Sequence, residues 1–276
     1  MVLRHAVHAG ALHGAPVMAV HVLSEHLLEH WMASGGSRLS IDSLAAQAKD
    51  RLNKMVEAET PGADIRLEVR SGKPVEELRR IVEEHDSALL VIAANDTTKK
   101  HLGAIASRCV RTIPCDTLIL RDWQQGDFSK IVVGTNFSTT SDHIVQRSIE
   151  LATDYGAELE IVHVIYPPDQ NIWGETLEHD ENSPVSYVEE CRTRANRKMA
   201  DALAAHAQQL AGINYHSVIL ESTVPSLALA YHIQDSGADL AVLGTRTHSR
   251  LAGYFIGTNA ERLMRDATAS VLAVRV

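Results

Sequence analysis

Glycine and small polar residues gather after the apolar run Leu240-Ala241-Val242-Leu243, where Gly244 opens a polar loop that closes at Gly257-Thr258. The run reads as a buried parallel strand. Thr258 and Glu261 have the spacing of a capping box, so a helix opens at the end of the loop, and a second apolar run, Val271 to Val274, follows it. Strand, glycine loop and helix N-terminus together make a place where backbone N–H groups face an anion. Arg246, His248 and Arg250 can add positive charge there. The same spacing also suits an ordinary βαβ unit whose glycines only turn the chain, and spacing alone does not decide between the two.

Other chemistries are poorly supported. Fifteen histidines raise the question of a metal, and two spacings, His26 with His30 and His5 with His8, place pairs on one helical face. Neither pair has a visible third ligand, so no metal site is expected. The stretch His26-Leu27-Leu28-Glu29-His30 is not a zinc-protease HExxH, because its glutamate is misplaced. No nucleophile elbow, Walker A loop or GxGxxG is present. No catalytic residue is therefore expected, and the chain is read as a binding protein without efficient turnover.

Composition narrows the partners. The 276 residues are 45% hydrophobic and 22% charged, as in a soluble globular protein with one large or two ordinary domains. A net charge of −9 without a basic run argues against nucleic acid and anionic membranes, and aromatics at 4% leave little to stack on single strands. Cys109, Cys115 and Cys191 form no CxxC pair and suit a reducing cytoplasm. No signal peptide is expected at the start and no apolar run spans a membrane.

The elements that would position the loop occur twice. The strand Val17 to Leu23 returns as Glu160 to Ile165 with a His-Val pair in register, and Ile65 to Val69 returns as Tyr215 to Leu220. Long helices at Ser40 to Ala58 and Ser186 to Leu210 lie between them, and short helices opening at Pro74 and Pro225 follow. Ala88 to Ile92 then matches Leu240 to Leu243, and Thr117 to Arg121 matches Val271 to Arg275. Strands alternating with helices predict an α/β fold of two tandem open parallel sheets, covered on both faces. The expected organisation is a first domain over 1–121, a polar linker over 122–129 and a second domain over 130–276. The acidic, turn-rich stretch 167–184 reads as a surface insert.

The segment Gly244–Val276 resembles the C-terminal signature of the universal stress protein family, Gly-x₂-Gly-x₉-Gly-(Ser/Thr), which in that family wraps the ribose and phosphates of ATP. Gly244, Gly257 and Thr258 match it, whereas Thr247 replaces the second glycine. The strand Lys130 to Gly134 and its turn Thr135-Asn136-Phe137-Ser138 resemble the family's first strand and its Thr-Asp-x-Ser turn, with Asn136 in place of the aspartate that contacts the nucleotide. Val164 falls where the family packs a valine on adenine, and Asn259 stands where a small apolar residue is usual. The resemblance spans 129–276, and more loosely 1–121. It implies a Rossmann-like fold of the adenine nucleotide alpha hydrolase type and an adenine nucleotide, ATP or a relative, bound by Asn136, Val164, Gly244, Thr247, Gly257, Thr258 and Asn259. A role in stress response or signalling with an unidentified protein partner follows from it. The alternative is a nucleotide-free interaction module that kept the fold and lost the ligand.

The first copy departs from this plan. Ala93 stands for Gly244 and Ala104 for Thr258, so no nucleotide is expected in residues 1–121. It also opens in a helix, Leu3 to Leu12, with no counterpart of Ile131-Val132-Val133. In the family that first strand is central, so its omission predicts a gap flanked by unpaired backbone, and Met1 is expected to lie within a longer natural chain. The two final strands, Thr117 to Leu120 and Val271 to Val274, are expected to pair as the family's dimers do, giving an intrachain pseudo-dimer, with a homodimer of chains as a further possibility.

Overall fold

The computed structural model describes residues 1–26, 41–94, 103–121, 127–166, 184–245 and 258–276. The chain forms two compact units, one from the described residues up to Arg121 and one from Asp127 onward, and each is an α/β unit of parallel strands.

The first unit runs α1 (Val2–His13), β1 (Val17–Ser24), α2 (Ile41–Glu59), β2 (Ile65–Gly72), α3 (Pro74–Glu84), β3 (Leu89–Ala93), α4 (Ala104–Thr112) and β4 (Asp116–Leu120). Helix α1 stops at Gly14, which takes the left-handed conformation at φ 60° and returns its N–H to the Gly10 carbonyl. Helix α3 starts on Pro74, whose missing N–H costs nothing in the first turn. Strand β1 pairs in parallel with β2, from Val17 opposite Ile65 to Ser24 opposite Gly72. Strand β3 pairs in parallel with β4, from Leu89 opposite Asp116 to Ala93 opposite Leu120. Among the described residues no ladder joins β1 to β3.

The second unit runs β5 (Lys130–Gly134), α5 (Thr139–Tyr155), β6 (Glu158–Ile165), α6 (Pro184–Ala205), α7 (Ala207–Leu210), β7 (Tyr215–Glu221), α8 (Pro225–Asp235), β8 (Leu240–Thr245), α9 (Thr258–Asp266) and β9 (Ser270–Arg275). Its strands lie in the order β9-β8-β5-β6-β7, all parallel, with β5 in the middle. Ile131, Val132 and Val133 of β5 are at most 1% exposed, as a strand covered on both faces requires. Asp239 fixes the start of that strand: one carboxylate oxygen accepts from the backbone N–H of Ser129 and Lys130 at 2.8 and 2.9 Å, and from the Ser129 hydroxyl.

Two details differ from the sequence reading. Phe128, placed by its polar neighbours in the linker, is 1% exposed and packs edge-on against Tyr155 at 5.0 Å, so the core of the second unit begins before β5. Gly244 does not open the loop; β8 continues through it to Thr245, with Gly244 opposite Val274. The extra two residues of pairing hold because the Thr245 hydroxyl is buried and donates to the Val274 carbonyl at 3.1 Å.

Candidate functional site

In the second unit the chain proceeds from β5 to β6 and β7 on one side, then crosses to β8 and β9 on the other. The reversal makes the carboxyl ends of β5 and β8 a topological switch point, where loops leave in opposite directions and a crevice opens. The two strands that border it end in Gly134 and in Gly244-Thr245.

The β5 side of the crevice is a turn held from several directions. The Thr135 N–H donates to the Val162 carbonyl at 2.8 Å, which ties the turn to β6. The Thr135 hydroxyl oxygen accepts from the Phe137 N–H at 3.1 Å and lies 3.1 Å from the Ser141 hydroxyl. Ser138 caps α5 by accepting from the Ser141 N–H at 3.2 Å. Asn136 stands exposed at the apex, and its side-chain oxygen accepts from the Ser138 N–H at 3.1 Å, an Asx turn. Phe137 completes the reversal at φ 60°, a left-handed conformation unusual for an aromatic residue.

That conformation is supported by a ring contact. Phe137 lies against the His163 imidazole with centroids 4.3 Å apart. The His163 Nδ1–H donates to the Thr135 carbonyl at 2.8 Å, so the other nitrogen is the basic one. Burial lowers the His163 pKa from its ordinary value, opposed by the Thr135 carbonyl and assisted by the nearby Lys198 ammonium. The ring is therefore neutral at pH 7 and serves as a prop for the turn.

Both glycines at the strand ends admit helices. A Cβ on Gly134 would lie 2.8 Å from Leu229 Cδ2 of α8, and one on Gly244 would lie 2.2 Å from Ile144 Cδ1 of α5. Both approaches are closer than ordinary van der Waals contact, so a side chain at either glycine would have to displace the tip of Leu229 or of Ile144.

Of the residues expected to form the site, Asn136, Val164 and Gly244 converge at the carboxyl ends of the adjacent strands β5, β6 and β8. Val164 is half-buried there. Thr258 is the first residue of α9. Thr247 and Gly257, with Arg246, His248 and Arg250, lie outside the described residues, as do the side chains of Thr258 and Asn259.

A cavity that no sequence pattern announces lies beside the turn. It measures about 420 Å³ and lies between α5, α6 and the strands, lined by Thr135, Val145, Ile161, Lys198, Met199 and His206. Within its lining His206 bonds Asp142 at 2.8 Å across 64 residues of sequence, a pairing no local pattern announces.

Among the described residues the first unit shows no equivalent crevice. Its counterpart of β8, β3, ends at Ala93 without a described neighbour in the β5 position, and α4 opens behind Gly103 with no side-chain cap. Among the described residues one cluster has metal-ligand chemistry, Glu68, Glu84 and His85. The Arg70 guanidinium already bonds both carboxylates, so the cation that balances them is an arginine.

A sequence model of the universal stress protein family matches residues 1–121 and again 127–275. A universal stress protein of Methanocaldococcus jannaschii is 26% identical over 157 residues, which cover 54% of this chain and 82% of the relative. One from Thermus aquaticus is 28% identical over 124 residues, covering 45% of this chain and 82% of the relative. The crystal structure of a universal stress protein from Archaeoglobus fulgidus covers 99% of this chain and 91% of its own, with a TM-score of 0.64 at 16% identity. A functionally unknown protein from Pseudomonas aeruginosa matches with the same score and identity over 99% of this chain and 86% of its own.

Proposed function

This chain belongs to the universal stress protein family, with one family domain in each half, and from that premise we propose that its second unit binds an adenine nucleotide. The observation that carries the proposal is the placement of Asn136, Val164 and Gly244 at the carboxyl ends of the neighbouring strands β5, β6 and β8, around the switch point. Adenine would lie over the ends of β5 and β6 near Asn136 and Val164. Ribose and phosphates would lie toward Gly244 and the N-terminus of α9, where the helix dipole favours negative charge. The protein would act by binding, as a sensor or signalling component, and not by turnover. In the described turn His163 donates its Nδ1–H to the Thr135 carbonyl and lies against Phe137, a supporting role.

A second reading is favoured by one specific observation. The Ile144 side chain occupies the space a Gly244 Cβ would need, and the Asn136 side-chain oxygen accepts from the Ser138 N–H, so two of the expected site positions have structural employment without a nucleotide. On this reading the second unit is an interaction module. Calorimetric titration with ATP, ADP and AMP separates the two. Saturable binding at one site per chain, weakened by Val164→Asp with the fold retained, supports the first. No heat of binding at millimolar nucleotide, with circular dichroism unchanged, rejects it in favour of the second.

A further inference from the structure

The cavity beside the turn of the second unit lies where two helices share one strand. Helix α5 packs on β5, β6 and β8, and helix α6 packs on β6 and β7. Between them the cavity measures about 420 Å³, a volume within the range of small-molecule sites. Protein interiors are close-packed, so a space of this size between neighbouring helices is an exception that calls for a cause.

Its floor and its rim differ in chemistry. Val145, Ile161, Met199 and Leu210 of the lining are at most 6% exposed and form an apolar floor. Phe137, whose ring lies against His163, adds an aromatic side chain. A thioether and an aromatic ring together favour a flat aromatic guest, through sulfur–aromatic and offset ring contacts. Asp142, Asp201 and Lys198 are exposed at the rim, and charges of both signs there suit a guest without net charge.

The lining also contains a buried polar group with unused capacity. His206 is 6% exposed and stands at the break between α6 and α7. Its Nε2–H donates to the Asp142 carboxylate at 2.8 Å, which leaves Nδ1 of the neutral ring as an acceptor. Nδ1 is buried and has no hydrogen-bond partner among the described residues. A buried acceptor without a donor is costly, and a guest that brings an N–H or O–H group relieves that cost.

We propose that this cavity is a second ligand site of the second unit, separate from the switch-point crevice, and that it takes a small uncharged aromatic molecule with one N–H or O–H donor. The ring of the guest rests on Met199, Ile161 and Phe137, and its donor meets His206. The turn is common to both sites: Thr135 and Phe137 line the cavity, whereas Asn136 at the apex belongs to the crevice.

The probe is indole, and 1-methylindole is the same ring system without the donor. Both are titrated into the methyl-labelled full chain and followed by NMR. Indole is expected to shift the Met199 and Ile161 methyl signals saturably, and 1-methylindole to bind about tenfold more weakly, as loss of one buried hydrogen bond requires. Ala202, half-buried in α6, lines the same cavity, so Ala202→Phe should fill it and abolish the indole shifts. Excess ATP should leave the shifts unchanged, whether or not the crevice takes a nucleotide. If the variant fails to fold, the pair of probes decides the matter on the wild type. Equal affinity for the two probes overturns the proposal, because the space then accepts any apolar ring as a packing defect would. So does the absence of a saturable shift, or displacement of indole by ATP. Binding that emerges only after residues 167–183 are replaced by a glycine–serine linker overturns it too, because the chain itself is then the occupant.

Discussion

Gly244→Ala is the substitution that separates packing from ligand contact at the crevice. The new methyl would stand 2.2 Å from Ile144 Cδ1, 3.2 Å from Ile144 Cγ1 and 3.4 Å from Val276 Cγ2. Ile144 is 5% exposed, so its end has little room to swing, and overpacking of this kind costs about 1–3 kcal/mol. Ile144→Val removes the Cδ1 atom and alone costs about 1 kcal/mol. In the double variant the added methyl takes the vacated space, so the pair should cost about as much as Ile144→Val alone, a coupling of roughly 1–3 kcal/mol in the favourable direction. Urea unfolding followed by circular dichroism, with m held constant across the four proteins, measures the cycle. Nucleotide titration of the same proteins then reads the second role. If Gly244 serves the nucleotide only by letting α5 approach β8, the double variant binds as the wild type does. Additive destabilisation refutes the packing account. Restored stability with lost binding shows instead that the backbone at Gly244 itself meets the ligand.

Three further outcomes are expected. Asn136→Asp keeps the acceptor for the Ser138 N–H and adds a charge, so the affinity for adenine nucleotide should rise by about fivefold, the margin of a charge-assisted over a neutral hydrogen bond; unchanged calorimetric affinity removes Asn136 from the site. His163 has a folded pKa below its unfolded value of about 6.5. The unfolded chain therefore takes up the proton first, and the second unit should lose stability as pH falls through about 6.5 toward the folded pKa, then level off. Thermal midpoints between pH 7.5 and 5 should show this slope in the wild type and a shallower one in His163→Gln; identical slopes would exclude His163 as its source. Burial, with a smaller effect from Cys115, pushes the Cys109 thiol up to about 12, so it should resist a thiol reagent at pH 8 in the native protein and react in urea, while the half-buried Cys191 reacts in both. Mass mapping of labelled peptides reads the difference, and native labelling of Cys109 contradicts its placement in the core.

The parts of this molecule that were legible in the sequence are those whose cause is local. Pro74 and Pro225 open α3 and α8 because a proline suits the first helical turn, and no distant contact needs to be known. The tandem repeat was also legible, since the two halves can be aligned on His21-Val22 and His163-Val164, and the family model matches each half. What escaped has causes far away in the chain. Phe128 sits among polar neighbours, and only Tyr155 reveals it as core. Asp239 looks like one more turn residue, yet it fixes the start of β5 across 109 residues of sequence. Gly244 is the most instructive case. A glycine after an apolar run invites a phosphate, because glycine is what a backbone needs to approach one. It is also what a helix needs to approach a strand, and Ile144, a hundred residues earlier, supplies that second reason. A glycine motif therefore identifies a close approach before it identifies what approaches, and at this crevice both the helix and the proposed nucleotide require the same missing side chain.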